Sequence, residues 1–259
     1  MSEHILQIDH LAKTYGEFRA VDAISLQVEA NDLFALLGPN GAGKTTTIRM
    51  LMGILQPSAG TARICGLDCF GQRAEVQRHV GYVPDEPVFY DYLRGAEIIR
   101  FVGEMRGLRR ADADRVAGEL IDRLELDDAL GEFAVNYSKG MKKKLALICA
   151  LVHEPALLIL DEPSSGLDPF ATRTLQEVLR ECAGRGTAVF YSTHLLDQAE
   201  RLCRNIAILH KGRLAASGPL AELRAELAPS GSLEDVFFEA AARETEPADA
   251  PPNGADDGA

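Results

Sequence analysis

The sequence has no long hydrophobic run, although it contains 259 residues and 46% of them are hydrophobic. A membrane-spanning helix needs about 18 consecutive apolar residues, whereas the longest apolar stretches occupy only residues 145–152 and 156–160. Residues 1–4 also lack the basic start and apolar stretch of a signal peptide. We therefore expect a cytoplasmic protein that reaches a membrane only through a partner.

Positive charge is scarce, with 27 lysines and arginines against 39 acidic residues and a net charge of −12. Nonspecific binding of nucleic acid needs a basic surface that displaces counterions, so we expect no nucleic-acid partner. Residues 244–259 are acidic, rich in proline, alanine and glycine, and too poor in apolar residues to form a core. We predict a folded domain over residues 1–243 and a disordered acidic tail over residues 244–259.

Cysteines are few and scattered, and their number is odd: Cys65, Cys69, Cys149, Cys182 and Cys203. No two of them form a C-x-x-C pair, and no histidine lies at metal-ligand spacing from the first two. This pattern excludes the usual zinc motifs and indicates reduced, mostly buried thiols, as is typical of cytosolic proteins.

Strand-like runs alternate with helical patterns along most of the chain, which predicts an α/β fold with a parallel sheet core. Residues from about 87 to 132 lack a strand run and show helix-length apolar patterns, so we expect an all-helical insertion there. The predicted strands are residues 5–8, 24–28, 33–37, 60–66, 156–160, 187–192, 206–209 and 213–216. The other predicted helices are residues 44–55, 138–153, 171–183 and 196–203.

The strongest motif lies between the predicted strand 33–37 and the helix that begins near Lys44, and it matches G-x-x-x-x-G-K-[ST]. Its glycines let several backbone N–H groups approach phosphate oxygens at once. Lys44 supplies a cation for the β- and γ-phosphates, and the Thr45 hydroxyl supplies a Mg²⁺ ligand. The predicted ATP-binding residues of this loop are Gly38, Pro39, Asn40, Gly41, Ala42, Gly43, Lys44, Thr45 and Thr46.

A second motif is a buried apolar strand that ends in two adjacent acids, Asp161 and Glu162. Ligands of open α/β sheets bind at the carboxyl ends of the strands. We predict that Asp161 orients Mg²⁺, directly or through water, and that Glu162 polarises the attacking water as general base. A solvated acidic turn is the alternative, and the nearby phosphate loop disfavours it.

A third, weaker motif is Ser138-Lys139-Gly140-Met141, about twenty residues before the acidic strand end. A serine at a helix N-terminus is common for structural reasons alone. Its position relative to the phosphate loop and the acidic strand end is what indicates a functional role.

In this order the motifs resemble those of the ATP-binding-cassette (ABC) ATPase family over about residues 3–240. The resemblance implies a P-loop NTPase (RecA-like) parallel-sheet core, an N-terminal antiparallel β subdomain, and a helical subdomain inserted at about residues 87–145. It adds Tyr15 as the aromatic that stacks on adenine, Asp85 at the place of the usual Q-loop glutamine, Ser138, Gly140 and Met141 as signature residues, Asp168 in the D-loop and His194 as the switch histidine.

The resemblance also implies an activity and partners. Two subunits, identical or related, would form a head-to-tail dimer with two ATP molecules and Mg²⁺ at its interface, and hydrolysis by Lys44, Glu162 and His194 would release it. A separate integral membrane permease would hold the dimer at the inner face of the cell membrane. The signature and residues 232–237 look like those of ABC-2-type exporter ATPases.

Two alternatives to a transporter subunit are a non-transport ABC ATPase that acts on ribosomes or nucleic acid and a module that binds ATP without turnover. The first group usually carries two cassettes, a long coiled coil or zinc-binding cysteines, none of which is found in this sequence. The presence of both Glu162 and His194 argues against the second.

Two residues depart from the family pattern. Asp85 replaces a glutamine and is expected to ligate Mg²⁺, although Glu86 could take this role or the loop could be purely structural. Lys139 replaces the first signature glycine, so its side chain either points away from the nucleotide or adds to phosphate binding. We expect the run Lys142–Lys144 to be a solvated helix face, and a contact with phosphate or with a partner is the alternative.

Overall fold

Two β-sheets and nine α-helices make up residues 4–245, the part of the chain that this computed structural model describes. Of the predicted acidic tail, Glu244 and Thr245 belong to the last helix, and residues 246–259 lie outside the described part. The predicted α/β architecture, with its antiparallel N-terminal sheet and its helical insertion, is confirmed.

The first sheet is antiparallel, with the strand order β2-β1-β4-β5. The predicted alternation of residues 24–28 is confirmed, because Ile24, Leu26 and Val28 are buried and the residues between them are exposed. β1 is longer than predicted, and its pairing with β2 is irregular after Ile8. The strands are β1 (His4–Tyr15), β2 (Phe18–Glu29), β4 (Ala59–Ile64) and β5 (Leu67–Asp68).

The second sheet is the core of the molecule and has the strand order β10-β9-β3-β8-β7-β6. All its strands run parallel except the edge strand β10. The carboxyl ends of β3, β8 and β7 therefore lie side by side, which is where a ligand site is expected. The strands are β3 (Leu33–Leu37), β6 (Val80–Val83), β7 (Leu157–Asp161), β8 (Ala188–Thr193), β9 (Asn205–His210) and β10 (Arg213–Pro219).

Helix α1 (Lys44–Leu51) follows the phosphate loop and is one turn shorter than predicted. It ends because Gly53 adopts a left-handed backbone with φ 63°, and because the N–H groups of Ile54 and Leu55 both donate to the Arg49 carbonyl instead of continuing the helical pattern. The prediction that the helix reaches residue 55 is wrong, since it overlooked the terminating glycine.

The helical insertion comprises α3 (Gly95–Met105), α4 (Arg110–Arg123) and the start of α5 (Lys139–Leu151). Ile98, Ala117 and Leu120 lie in the same buried cluster as Leu145 of α5, so one continuous core joins the insertion to the parallel sheet. α5 thus belongs to the insertion at its beginning and to the core at its end.

The remaining helices cover the faces of the core sheet. Among the described residues, no helix is long and apolar enough to cross a membrane. α9 was not predicted, and it packs through Leu233, Val236 and Ala240. These helices are α2 (Arg73–His79), α6 (Pro169–Gly184), α7 (Leu196–Leu202), α8 (Leu220–Leu227) and α9 (Leu233–Thr245).

Candidate functional site

The phosphate loop turns from the end of β3 into α1, and its glycines are needed for different reasons. Gly41 has φ 82° and no atom within 4 Å of the place of a Cβ, so its backbone lies open. A Cβ on Gly43 would lie 2.5 Å from the Ala20 carbonyl oxygen, and one on Gly38 would lie 2.4 Å from that of Leu209. One side of the loop therefore packs tightly against the protein, and the other side presents backbone without side chains, as phosphate binding requires.

Lys44 lies inside this loop and is only 5% exposed. Its Nζ donates to the Gly38 carbonyl at 2.7 Å and lies 3.5 Å from Glu162 Oε1. A buried ammonium is stable only when such acceptors surround it. The Lys44 ammonium thus contacts both the phosphate loop and Glu162 at the end of β7.

Asp161 ends β7 and accepts two hydroxyl hydrogen bonds, from Thr45 at 3.0 Å and from Ser192 at 3.1 Å. Burial raises the pKa of Asp161, and the two hydrogen bonds oppose that shift. A desolvated carboxylate beside a hydroxyl is a donor pair that suits a hard cation such as Mg²⁺. The described residues contain no group of three or more His, Cys, Asp or Glu that could hold a metal.

Glu162 has its carboxylate fixed from three sides. Thr193 donates to Oε2 at 3.0 Å, His194 Nδ1 lies 2.9 Å from Oε1, and Lys44 approaches the same oxygen. Its backbone is left-handed, with φ 45°, and its N–H donates to the Ser192 carbonyl. The structure thus brings together the three residues predicted to be catalytic, Lys44, Glu162 and His194.

Lys143 is a site residue that the sequence analysis missed. It is only 2% exposed, so the prediction of a solvated face for Lys142–Lys144 is wrong at this position, whereas its two neighbours are partly exposed. The signal was available, because Lys143 precedes the buried Ala146 and Leu147 at helical spacing on α5.

Asp85 follows β6 and lies 3.4 Å from Lys143 Nζ. The same Nζ lies 3.4 Å from the Asp161 carbonyl oxygen, so Lys143 joins Asp85 to the end of β7.

The signature residues form a second group. Ser138 caps α5 and accepts from the Met141 N–H at 3.2 Å, and Asp168 caps α6, where the N–H groups of Ala171 and Phe170 lower its pKa. A Cβ on Gly140 would lie 3.1 Å from the Gly166 carbonyl oxygen. No hydrogen bond among the described residues joins Ser138, Gly140, Met141 or Asp168 to the phosphate loop.

Lys139 packs against the loop after Glu162 in its own chain. Its methylene groups contact Gly166 and its Nζ donates to Ser165 Oγ at 3.2 Å. The side chain thus supports the D-loop of its own chain, a contact that neither of the two predicted alternatives included.

Tyr15 ends β1 and is 49% exposed. The Lys13 ammonium lies 5.3 Å from its ring centroid. The neighbouring strand β2 carries Ala20 and Val21, which touch Gly43 of the phosphate loop. Tyr15 therefore lies half exposed on the hairpin that packs against this loop, with the Lys13 ammonium over its ring.

Comparison with known proteins agrees with this geometry. The sequence matches the ABC transporter family over residues 21–165. It is 39% identical over 220 residues to YxlF, an uncharacterized ABC transporter ATP-binding protein of Bacillus subtilis, covering 85% of this chain and 72% of that protein. It is also 39% identical to the Nod factor export ATP-binding protein I of Paraburkholderia xenovorans, covering 88% of this chain and 75% of that protein. The solved structure of an ATP binding subunit of an ABC transporter superposes with a TM-score of 0.87 at 34% identity, covering 91% of this chain and 99% of that one. The chain thus belongs to the ABC transporter family, as one of its ATP-binding and ATP-hydrolysing subunits.

Proposed function

We propose that this ATPase drives export through a separate integral membrane permease and that Glu162 is its general base. The observation that carries the proposal is the group of Lys44, Glu162 and His194 at the carboxyl end of the parallel sheet, in which Glu162 forms an ion pair with Lys44 and a hydrogen bond with His194. A base must lie within hydrogen-bond reach of a partner that orients it, and His194 and Thr193 orient Glu162. The export direction is supported by likeness to a Nod factor export protein.

The remaining residues of the site hold the nucleotide and the metal. The backbone of residues 38–46 and the Lys44 ammonium bind the phosphates, and Tyr15 stacks on the adenine. Thr45 and Asp161 hold Mg²⁺, with Asp85 as a further ligand, directly or through water. When bound, Mg²⁺ neutralises charge that develops on the transferred phosphoryl group.

A second subunit, identical or related, completes each site in this proposal. The signature residues and the phosphate loop form separate groups within one chain, and a twofold dimer can bring the signature of each subunit to the loop of the other. Ser138 Oγ and the Gly140 N–H lie at the start of α5, where backbone donors suit the γ-phosphate. In this proposal Asp168 and Met141 also belong to the contact with the second subunit.

In this proposal the partner permease binds an exposed apolar surface on the helical insertion. We call this surface, formed by Val88, Tyr90, Tyr92 and Phe101, the aromatic patch. Val88 is 89% exposed and Tyr92 is 82% exposed, and the rings of Tyr90 and Phe101 pack edge to face at 6.3 Å. Contiguous exposed apolar groups of this kind mark interaction sites. The patch begins three residues after Asp85, so a permease segment bound there would lie next to the metal site. Such a contact would hold the ATPase at the inner face of the membrane.

Two measurements on the full chain test this proposal. Phosphate release from ATP should require Mg²⁺, and a chain expressed with its native neighbours should co-purify from detergent extracts with an integral membrane protein. Substituting Tyr90 and Tyr92 with serine should remove that co-purification while leaving phosphate release intact. Co-purification with ribosomes instead would overturn the transporter assignment.

A further inference from the structure

Lys143 Nζ lies among four oxygen atoms from two separate chain segments. It donates to the Glu162 carbonyl at 2.7 Å and to the Pro84 carbonyl at 3.3 Å. The Asp161 carbonyl and Asp85 Oδ1 each lie at 3.4 Å. These oxygens follow β6 and β7, and the lysine itself lies on α5, so one ammonium group joins three elements.

Burying this lysine has a cost that the fold must offset. An ammonium removed from water is strongly destabilised unless acceptors surround it. Burial lowers the pKa of Lys143, and the Asp85 carboxylate opposes that shift. An apolar residue would fill the same volume without this desolvation cost, so the charge has a use other than packing.

The contacts of Lys143 indicate that use. Its shortest hydrogen bond is to the carbonyl of Glu162, a residue with a left-handed backbone that costs about 1 kcal/mol or more to hold. The conformation of that backbone decides where the Glu162 carboxylate points. The lysine also lies five residues after Ser138 on the same rigid helix.

We infer that Lys143 is a positioning residue that holds the backbone of Glu162 and the segment at Pro84 and Asp85 to helix α5. Movement of α5 relative to the core sheet then changes the orientation of Glu162. Docking of Ser138 at a nucleotide and contact at the aromatic patch would both act through this connection. The inference rests on the proposed role of Glu162 as general base.

The test compares Lys143→Met, which keeps length and removes the charge, with Lys143→Arg, which keeps a cation. Lys142→Met is the matched control, because Lys142 is the partly exposed neighbour on α5. We expect Lys143→Met to lower kcat for ATP by about tenfold or more with KM changed by less than about twofold, since a small misplacement of a catalytic group is costly. Lys143→Arg should retain more activity than Lys143→Met, and Lys142→Met should match the wild type.

Hydrogen exchange gives a readout that does not depend on catalysis. In Lys143→Met the amides of Asp85, Glu86, Glu162 and residues 164–166 should exchange about fivefold faster, while those of β1 and β2 stay unchanged. If Lys143→Met does not fold, Lys143→Gln replaces it, because an amide donates a hydrogen bond without a charge. Wild-type kcat and exchange in a folded neutral variant would overturn the inference, and so would equal losses in the methionine and arginine variants.

The two proposals fail in distinguishable ways. If the wild-type chain releases no phosphate, the proposed function fails, and the exchange measurement alone decides whether Lys143 holds the two segments. If the wild type is active and the Lys143 variants match it in both measurements, only the positioning role is lost.

Discussion

Glu162 shows how a single residue depends on its surroundings. A non-glycine residue at φ 45° is strained, and the strain persists because Ser192, Ser165 and Lys143 all hydrogen-bond to its backbone. The side chain is held separately by Thr193 and His194. Different residues thus hold the backbone and the carboxylate of Glu162. A substitution that removes the charge of the carboxylate should therefore leave the backbone in place.

Glu162→Gln should therefore keep ATP binding and nearly abolish turnover. The amide has the size of the carboxylate but cannot accept a proton from water, so kcat should fall by about 10²–10⁴-fold, and the ATP-bound dimer should accumulate. Single-turnover phosphate release and fluorescent-nucleotide binding measure the two effects. Glu177→Gln is the control, since Glu177 pairs with Arg173 on the surface of α6. Undiminished hydrolysis in Glu162→Gln would remove the general-base assignment.

At the scale of elements, local signals were sufficient for some parts of the fold and not for others. The phosphate loop and β3 were predicted because glycine spacing and a continuous apolar run are contained within a few residues. Strand β6 was missed because Val80–Val83 is short and interrupted by Gly81, and its identity as an edge strand depends on pairing with the distant β7. The spacing of Lys143 on α5 indicated its burial, but the oxygen atoms of Pro84 and Glu162 that offset this burial are far away in sequence.

His153 links two of these elements and gives a prediction about pH. It contacts the Val80 carbonyl of β6 from the end of α5, and burial together with the Arg106 charge lowers its pKa to about 4. In the unfolded chain the imidazole takes up a proton near its ordinary pKa of about 6.5. Between these two values the unfolded state binds more protons, so folding stability is present at neutral pH and is lost as pH falls toward 4.

His153→Gln should remove this part of the acid sensitivity. Urea titration at pH 7 and at pH 4.5 measures how much the free energy of unfolding falls between these two values. This fall should be about 2 kcal/mol smaller in the variant than in the wild type. His79→Gln is the control, because His79 is an exposed histidine next to Val80. An identical pH dependence in His153→Gln and the wild type would contradict the prediction.

Packing between α3 and the segment that precedes α5 gives a second prediction at this scale. A Cβ on Gly95 would lie 2.1 Å from the Tyr137 hydroxyl, which donates to the Ala129 carbonyl at 2.6 Å. Gly95→Ala should therefore destabilise the protein by about 1–3 kcal/mol. In the double variant Gly95→Ala/Tyr137→Phe the clashing hydroxyl oxygen is absent. Its loss of unfolding free energy should therefore differ from the sum of the losses in the two single variants.

Gly118→Ala is the matched control for this packing experiment. Gly118 lies within α4 with no atom within 4 Å of the place of a Cβ. Alanine there should stabilise the helix by up to about 1 kcal/mol. Urea midpoints measure all four variants, and strictly additive losses at Gly95 and Tyr137 would show that the two residues do not compete for space.

For the whole molecule, the order of motifs in the sequence predicted the architecture because each motif ends or begins an element of the core sheet. The phosphate loop follows β3, the two acids end β7 and His194 follows β8, and these strands are neighbours. The sequence could not show how the signature group lies relative to the loop within one chain. No hydrogen bond within residues 4–245 joins the two groups, and the proposed dimer would bring them together across its interface.

Mixing two inactive variants tests this composite site. Lys44→Ala damages the loop side of a site, and Ser138→Arg damages the signature side. In a head-to-tail dimer of one copy of each, one site has both defects and the other has none. If half of the dimers are mixed and intact sites act independently, the mixture should recover about a quarter of wild-type hydrolysis. Mixing Lys44→Ala with Glu162→Gln is the control, because both defects lie on the loop side and no intact site can form. No recovery in the first mixture once dimers have exchanged would mean that no site combines the loop of one chain with the signature of the other. Recovery in the control would mean that Lys44 and Glu162 of one chain do not act in the same site.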